Sequence, residues 1–379
     1  MANTSATKSA SAFSLVLLAL FAGVNNGYNF YIGSTLVSLL RGENLLNTPF
    51  QEAFMNSSIT FGCVFGCFLG GYLADVYGRR YAVVVGEIIV ITGAFGHLIG
   101  NIVLLLLFRF VLGFGLGICS LMKPMYIAEL SNKSNRGAIL VVFSVASSLG
   151  MNFAFWLKAT TGTSGVDFTP WRWLVLVGVV PALALVLLTI YVLPESPEWL
   201  KLTGKIGTTS SSDVENDKER ESLLKDAPEN NARGQSEQGG EVTPPFLQVS
   251  QMTSLALKES RFFKPLLLAC LIGICNVLGG GTITMFELDH VIPSVFFNPT
   301  YPSNIVYVGI VHLVGVCAGI PLIDSLGRRP LLFVGLFGIA VVSFVLGVLI
   351  SISPTTPSSS FTTVLFLLYM LLYQIGPQA

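Results

Sequence analysis

"GGYLADVYGRRYAVVVGE", residues 70–87, and "GIPLIDSLGRRPLLFVG", residues 319–335, carry the same punctuation between two apolar runs. The first contains Asp75-x-x-Gly78-Arg79-Arg80 and the second Asp324-x-x-Gly327-Arg328-Arg329. A glycine in such a loop permits a tight turn. Two arginines at the start of the next helix then face the acid of the preceding one. One such loop is weak evidence, since short basic loops are common. Two copies at equivalent points of two groups of apolar runs mark a membrane chain built from two related halves.

Outward from these loops the sequence is a series of long apolar runs. They fall near 13–40, 54–74, 81–101, 103–122, 138–158 and 171–193, and then near 264–286, 304–323, 330–350 and 361–377. About 20 apolar residues suffice for a helix to cross a bilayer core. The runs are continuous and not alternating, which excludes lipid-facing strands. Ten spans in groups of six and four are expected, all helical. Hydrophobic residues make up 52% of the 379 and charged residues 11%, with a mean hydropathy of +0.71. A soluble domain carries about 25% charged residues, so a lipid bilayer is the expected surrounding. The apolar run after Lys8 is longer than a signal-peptide core and lacks a clear small-residue cleavage site, so the first helix is expected to remain.

Lysine and arginine set the expected orientation. With the N-terminus cytoplasmic, Lys8, Arg79, Arg80, Lys123, Lys133, Arg136, Arg328 and Arg329 gather on the inner side with the bases of the central segment. Arg41, Lys158 and Arg172 remain outside. The segment 201–262 is the only long hydrophilic stretch, rich in Ser, Asn, Glu and Gly, and it lacks the apolar residues to fold alone. "VENDKERESLLK" within it fits a short solvated helix. The expected domains are therefore an N-terminal six-helix half (1–193), a cytoplasmic linker (194–263) and a partial C-terminal half (264–379). The six cysteines all lie in apolar runs and read as small hydrophobes, not as disulfides or metal ligands. No phosphate-binding loop, nucleophile set or metal cluster is present. No enzyme chemistry, cofactor or nucleic-acid partner is expected, and oligomeric state is not legible.

Several further motifs carry a family resemblance: "NGYN" (Asn26–Asn29), Arg109-Phe110-x-x-Gly113-x-Gly115-x-Gly117, "PMYIAEL" (Pro124–Leu130), Arg136-Gly137 and "PESPEWL" (Pro194–Leu200). With the two Asp-x-x-Gly-Arg-Arg loops, the chain resembles the sugar porter family of the major facilitator superfamily, most closely the facilitative glucose transporters. The resemblance covers nearly all of 13–379 apart from the linker. It implies a major-facilitator bundle in the plasma membrane that carries a small solute, a hexose-type sugar, by alternating access. The last motif departs from the family's PESPR. The family also continues through two more spans, so the resemblance implies that this C-terminal half is incomplete.

The acids and bases at the helix ends suggest a gate. Asp75, Arg79, Arg80, Glu129 and Arg136 lie on one face and together form a candidate latch, with Glu195, Asp324, Arg328 and Arg329 joined to the same set. The plainer reading is that the arginines only set topology. Arg109 lies inside an apolar span, where an ionisable residue is costly and marks function by default. The resemblance implies that proton-coupled relatives pair it with an aspartate at the position of Asn29. An asparagine carries no proton, which favours passive transport. A structural tether is the alternative for Arg109.

The expected solute contacts are uncharged polar groups, which suit the many hydroxyls of a sugar. By resemblance, Ser144 stands where the family has Gln, Asn276 holds one amide of a Gln pair, His312 replaces Asn, and Gln374 replaces Glu. Asn29, Thr282 and Thr284 complete the set. A transporter of a solute other than a sugar, or a membrane protein that does not transport, either a sensor or a defective truncated isoform, are the other readings of so altered a pocket. Asn56-Ser57-Ser58 is the outward-facing glycosylation sequon.

Overall fold

Gly78 has φ +107° and Gly327 φ +81°, so the glycine of each copy of the loop sits at positive φ. L-residues rarely adopt it, and this explains why both loops carry glycine. In the computed structural model, residues 11–43, 45–46, 48–132, 134–161, 170–203, 260–278, 280, 301–352 and 360–375 are described.

They form α1 (Ala12–Gly42), α2 (Pro49–Val76), α3 (Arg79–Gly96), α4 (Ile102–Leu130), α5 (Arg136–Thr161) and α6 (Pro170–Tyr191). Then follow α7 (Pro197–Leu202), α8 (Ser260–Leu278), α9 (Tyr301–Leu326), α10 (Arg328–Ile352) and α11 (Ser360–Ile375). No strand occurs among the described residues. Local chemistry sets several starts. Ser11 accepts from Ser14 N (3.1 Å), Thr48 from Gln51 N (3.3 Å) ahead of Pro49, and Asn101 from Val103 N (3.0 Å). Each satisfies a donor that the first helical turn leaves open.

Each of the ten expected spans overlaps a helix, the last of them a short one of 16 residues. Six of them, α1, α2, α4, α5, α6 and α10, are long and apolar enough to cross a membrane. Their outward faces are apolar as well: Phe333, Phe337 and Phe344 of α10 are 72%, 74% and 73% exposed. Such a stripe is stable against lipid and not against water. The seventh span was expected to reach residue 286, whereas the described helix ends at Leu278 and residues 281–300 lie outside the described set. α7 falls inside the expected linker, yet it is docked on the N-terminal helices: Trp199 is buried and its indole Nε1 donates to Asp75 O at 3.0 Å. The rest of the linker from residue 204 to 259, with "VENDKERESLLK", lies outside the described residues.

Close packing of α2 on α4 depends on small residues. A Cβ on Gly113 would lie 2.1 Å from Ile59 O, and one on Gly117 would lie 2.3 Å from Cys63 O. Gly62 and Gly66 of α2 press on Phe110 O and Phe114 O in return. Backbones approach this closely only where side chains are absent. α1 packs on α5, and α5 in turn on α9, so α5 is the bridge from the first six helices to the later ones. One core cluster joins the two groups: Met151 and Phe155 of α5, Val308 of α9, Ile339 of α10, and Tyr369, Met370 and Tyr373 of α11.

Candidate functional site

The seam between the two groups holds one of the sets of polar side chains that the fold keeps away from lipid. On α5, Leu149, Phe153 and Trp156 are exposed and form the outward stripe. At about 100° per residue, Ser144 points roughly 140° away from Leu149. It therefore lies on the side of α5 away from that stripe, the side that carries the buried Met151 and Phe155. Ser144, Ser148 and Asn152 recur at four-residue spacing on that face. Each bonds back to the preceding turn: Ser144 Oγ to Leu140 O at 3.3 Å, Ser148 Oγ to Ser144 O at 3.3 Å, and Asn152 Nδ2 to Ser148 O at 2.8 Å. The stripe is exposed at Ser144 and closes at Asn152, where a Cβ on Gly309 of α9 would lie 2.3 Å from Asn152 Oδ1.

His312 lies one turn beyond Gly309 and is 5% exposed, with Nδ1 lacking a hydrogen-bond partner. Gly315 follows by another turn and backs onto the Cβ of Gln374, to which an added Cβ would approach within 2.7 Å. Gln374 is 2% exposed, and neither Oε1 nor Nε2 has a partner. The structure thus brings His312 and Gln374 to one α9–α11 seam, beside the end of the α5 stripe. Tyr31 of α1 packs against the same cluster and meets the edge of Phe155.

The remaining expected contacts are distributed otherwise. Asn29 is buried within the first six helices, where its amide donates to Asn25 O (3.0 Å) and Asn25 Oδ1 (2.6 Å). Its own Oδ1 faces Gly178 of α6, and not the seam. Asn276 is on α8, but its side chain lies outside the described set, as do Thr282 and Thr284 entirely. The sequon residue Asn56 sits inside α2 with Oδ1 enclosed, close to Gly33 and the Arg109 guanidinium.

Arg109 is 1% exposed and packs against Gly33 of α1, with no hydrogen-bond partner for Nε or Nη2. A second charged group inside the spans was not foreseen. Lys123, expected at the cytoplasmic side, is wholly buried and pairs with the equally buried Glu87 at 2.6 Å. Glu87 also accepts from Asn25 Nδ2 at 2.8 Å. The available signal was Glu87 and Lys123 themselves, two opposite charges set within apolar runs.

At the end of the bundle where α2 meets α3, the expected acids and bases meet. Arg79 Nε lies 3.2 Å from Glu129 Oε2, and Arg79 Nη1 lies 3.1 Å from Asp75 Oδ1 and donates to Ala74 O at 2.9 Å. Ser196 Oγ also donates to Glu129, and Glu195 Oε1 accepts from Arg80 N at 3.0 Å. Two members of the expected latch behave differently. Arg80 faces no acid with its guanidinium. Its Nε donates to Thr189 O at 2.9 Å and its Nη2 to Ile190 O, so it caps the open carbonyls ending α6. Arg136 opens α5 without joining the network, and its Nε has no partner. All members of the network come from α2, α3, α4, α6 and the turn into α7. In the second loop, the side chains of Asp324 and Arg328 lie outside the described set, and Arg329 is exposed.

Among the described residues no cluster of His, Cys, Asp and Glu could hold a metal ion. Residues 15–379 match the family described as sugar (and other) transporter. The chain belongs to this family. It is a multi-pass membrane protein with a major-facilitator fold, and its relatives are transporters, not enzymes.

It is 27% identical over 359 residues to the arabinose-proton symporter of Bacillus subtilis, covering 91% of this chain and 73% of that one. It is 25% identical over 374 residues to the galactose-proton symporter of Escherichia coli, covering 95% and 74%. The partially occluded inward-open structure of the xylose transporter XylE from E. coli superposes with a TM-score of 0.69 at 22% identity, covering 96% of this chain and 82% of that one. That likeness concerns the fold alone.

Proposed function

We propose that this chain carries a small uncharged polyol, a hexose-type sugar, through the seam between its two helical groups by alternating access. The observation that carries the reading is the trio of buried polar atoms at that seam: His312 Nδ1, Gln374 Oε1 and Gln374 Nε2, none with a protein partner. An unpaired buried polar group costs about 1–3 kcal/mol, and such groups are normally satisfied. Sugar hydroxyls both donate and accept, so they match an imidazole and an amide without a charge. The α5 stripe from Ser144 to Asn152 supplies a polar approach to these groups. Asn29, in this reading, acts indirectly by shaping α1, and Asn276, Thr282 and Thr284 contribute from α8 and beyond.

The relatives named above are proton symporters, whereas Asn29 offers no titrating group where the resemblance expects an aspartate. Passive transport is therefore the proposed mode. The helix-end network around Arg79 and Glu129 ties α2, α3, α4 and α6 together at one end, which suits a half that rocks as a unit. A plasma-membrane location with the N-terminus cytoplasmic belongs to the same proposal and follows the lysine and arginine bias. A solute other than a sugar remains the second reading, favoured by His312 where the family has an amide.

The test is uptake of radiolabelled glucose, galactose and xylose by vesicles holding this chain, with insertion verified by protease mapping. Saturable uptake above empty vesicles, insensitive to an imposed pH gradient, is the expected result. No uptake of any of the three by correctly inserted protein sinks the sugar reading, and gradient-driven accumulation sinks the passive one.

A further inference from the structure

Glu87 and Lys123 are the charged pair that the proposed transport cycle does not use. Glu87 lies eight residues into α3 and Lys123 seven residues before the end of α4, roughly 12 and 10 Å from those helix ends at 1.5 Å per residue. No other Asp or Glu among the described residues is buried. Ionisable residues at such depth persist only when paired, and they mark function by default.

The carboxylate is fully engaged. Oε1 meets Lys123 Nζ at 2.6 Å and accepts from Cys119 Sγ at 3.4 Å, while Oε2 accepts from Asn25 Nδ2 at 2.8 Å. Lys123 has no further acceptor, so Glu87 is its whole compensation. Asn25 then accepts from Asn29 one turn on. The chain of contacts runs from α4 through α3 into α1. Next to it, Ser120 of α4 donates to Asn26 of α1 at 3.0 Å. α1 is the helix that carries Tyr31 to the seam.

We propose that Glu87, held by Lys123, is a positioning residue: through Asn25 it fixes the rotation of α1 against α3 and α4, and so holds Tyr31 and Asn29 in the arrangement transport requires. The inference rests on the transport reading. Geometry favours it over a purely structural ion pair. A packed apolar pair would stabilise three helices equally well, but it would present no acceptor to Asn25. A direct proton-carrying role is disfavoured, because both side chains have no solvent exposure.

Four variants separate the possibilities, each read by the thermal unfolding midpoint of the purified protein and by labelled-sugar uptake per inserted molecule. K123M leaves a buried carboxylate unpaired and is expected to lower the midpoint sharply. E87M/K123M removes both charges and is expected to restore the midpoint while uptake stays at least tenfold below the parent. E87Q/K123M keeps an amide oxygen for Asn25 without a charge and is expected to restore both. N25A keeps the ion pair and is expected to reproduce the uptake loss with a modest change in midpoint.

Parent-like uptake by E87M/K123M or by N25A overturns the proposal and leaves the pair structural. Failure of E87Q/K123M to regain uptake, with its midpoint restored, overturns it as well. Should the parent carry none of the sugars, the transport reading fails separately. The midpoints of N25A, E87M/K123M and the combined N25A/E87M/K123M variant then decide, since strict additivity would mean Glu87 does not hold Asn25.

Discussion

Arg79 Nε stands 3.2 Å from Glu129 Oε2, tying the first residue of α3 to the last turn of α4. Both side chains are largely enclosed, at 10% and 13% exposure. The pair is therefore better protected than a surface bridge, and its loss leaves Arg79 with only the exposed Asp75 and a backbone carbonyl. Arg79→Ala and Glu129→Ala should each lower stability by about 1–3 kcal/mol. The double substitution should cost less than the two singles combined, because neither Arg79 nor Glu129 is then left without the other. Thermal unfolding of the four proteins in detergent measures this cycle.

The two repeat glycines predict an asymmetry. Both have positive φ, and a residue with a Cβ in such a conformation costs about 1–3 kcal/mol. At Gly327 that strain is the main cost, since nothing among the described residues lies within 4 Å of an added Cβ. At Gly78 the same atom would also lie 2.6 Å from Glu195 Oε2, displacing the carboxylate that accepts from Arg80 N. Gly78→Ala should therefore destabilise more than Gly327→Ala, read as yield of inserted protein and as midpoint.

Packing of α2 on α4 gives a prediction with an internal control. Gly113→Ala would place a methyl 2.1 Å from Ile59 O, which neither backbone can yield cheaply. A loss of about 1–3 kcal/mol is expected from such overpacking. Gly71, on the same α2, has nothing among the described residues within 4 Å of an added Cβ. Gly71→Ala should be neutral or stabilising by up to about 1 kcal/mol through helix propensity. Equal losses at both positions would show that the interface is looser than described.

The seam predicts opposite effects on stability and transport. His312→Leu and Gln374→Leu remove buried polar atoms that lack protein partners, so the solute-free protein should be as stable as the parent or more so. Sugar affinity should fall by about tenfold for each, the equivalent of about 1.4 kcal/mol. Concentration-dependent uptake and thermal unfolding without sugar test the two halves of this expectation. Substitutions that lower stability and leave affinity intact would make these side chains packing elements.

Much of this architecture was legible in the chain. Continuous apolar runs specify helices, because lipid requires backbone groups to be satisfied within a segment. The doubled Gly-Arg-Arg loop specifies where two pairs of helices turn, because its glycine must reach positive φ. The Asp75–Arg79–Glu129 contact was also within reach, since all three residues fall at helix ends on one side of the bundle. These are properties of local sequence or of membrane depth.

Lateral partners were not legible, because they depend on how each helix is rotated and tilted against its neighbours. Rotation turned Asn29 toward α6 and left His312 and Gln374 at the seam. Arg80 reached the carbonyls ending α6 instead of an acid, and Arg136 stayed outside the network. Lys123 counts as a topology-setting base by sequence position alone. Packing of α3 against α4 instead buries it beside Glu87. The sequence by itself determined a family, a helix order and two matching turns. Only the tertiary structure decided which buried charges and amides meet, because a pairing between helices is fixed by the packing of the whole bundle.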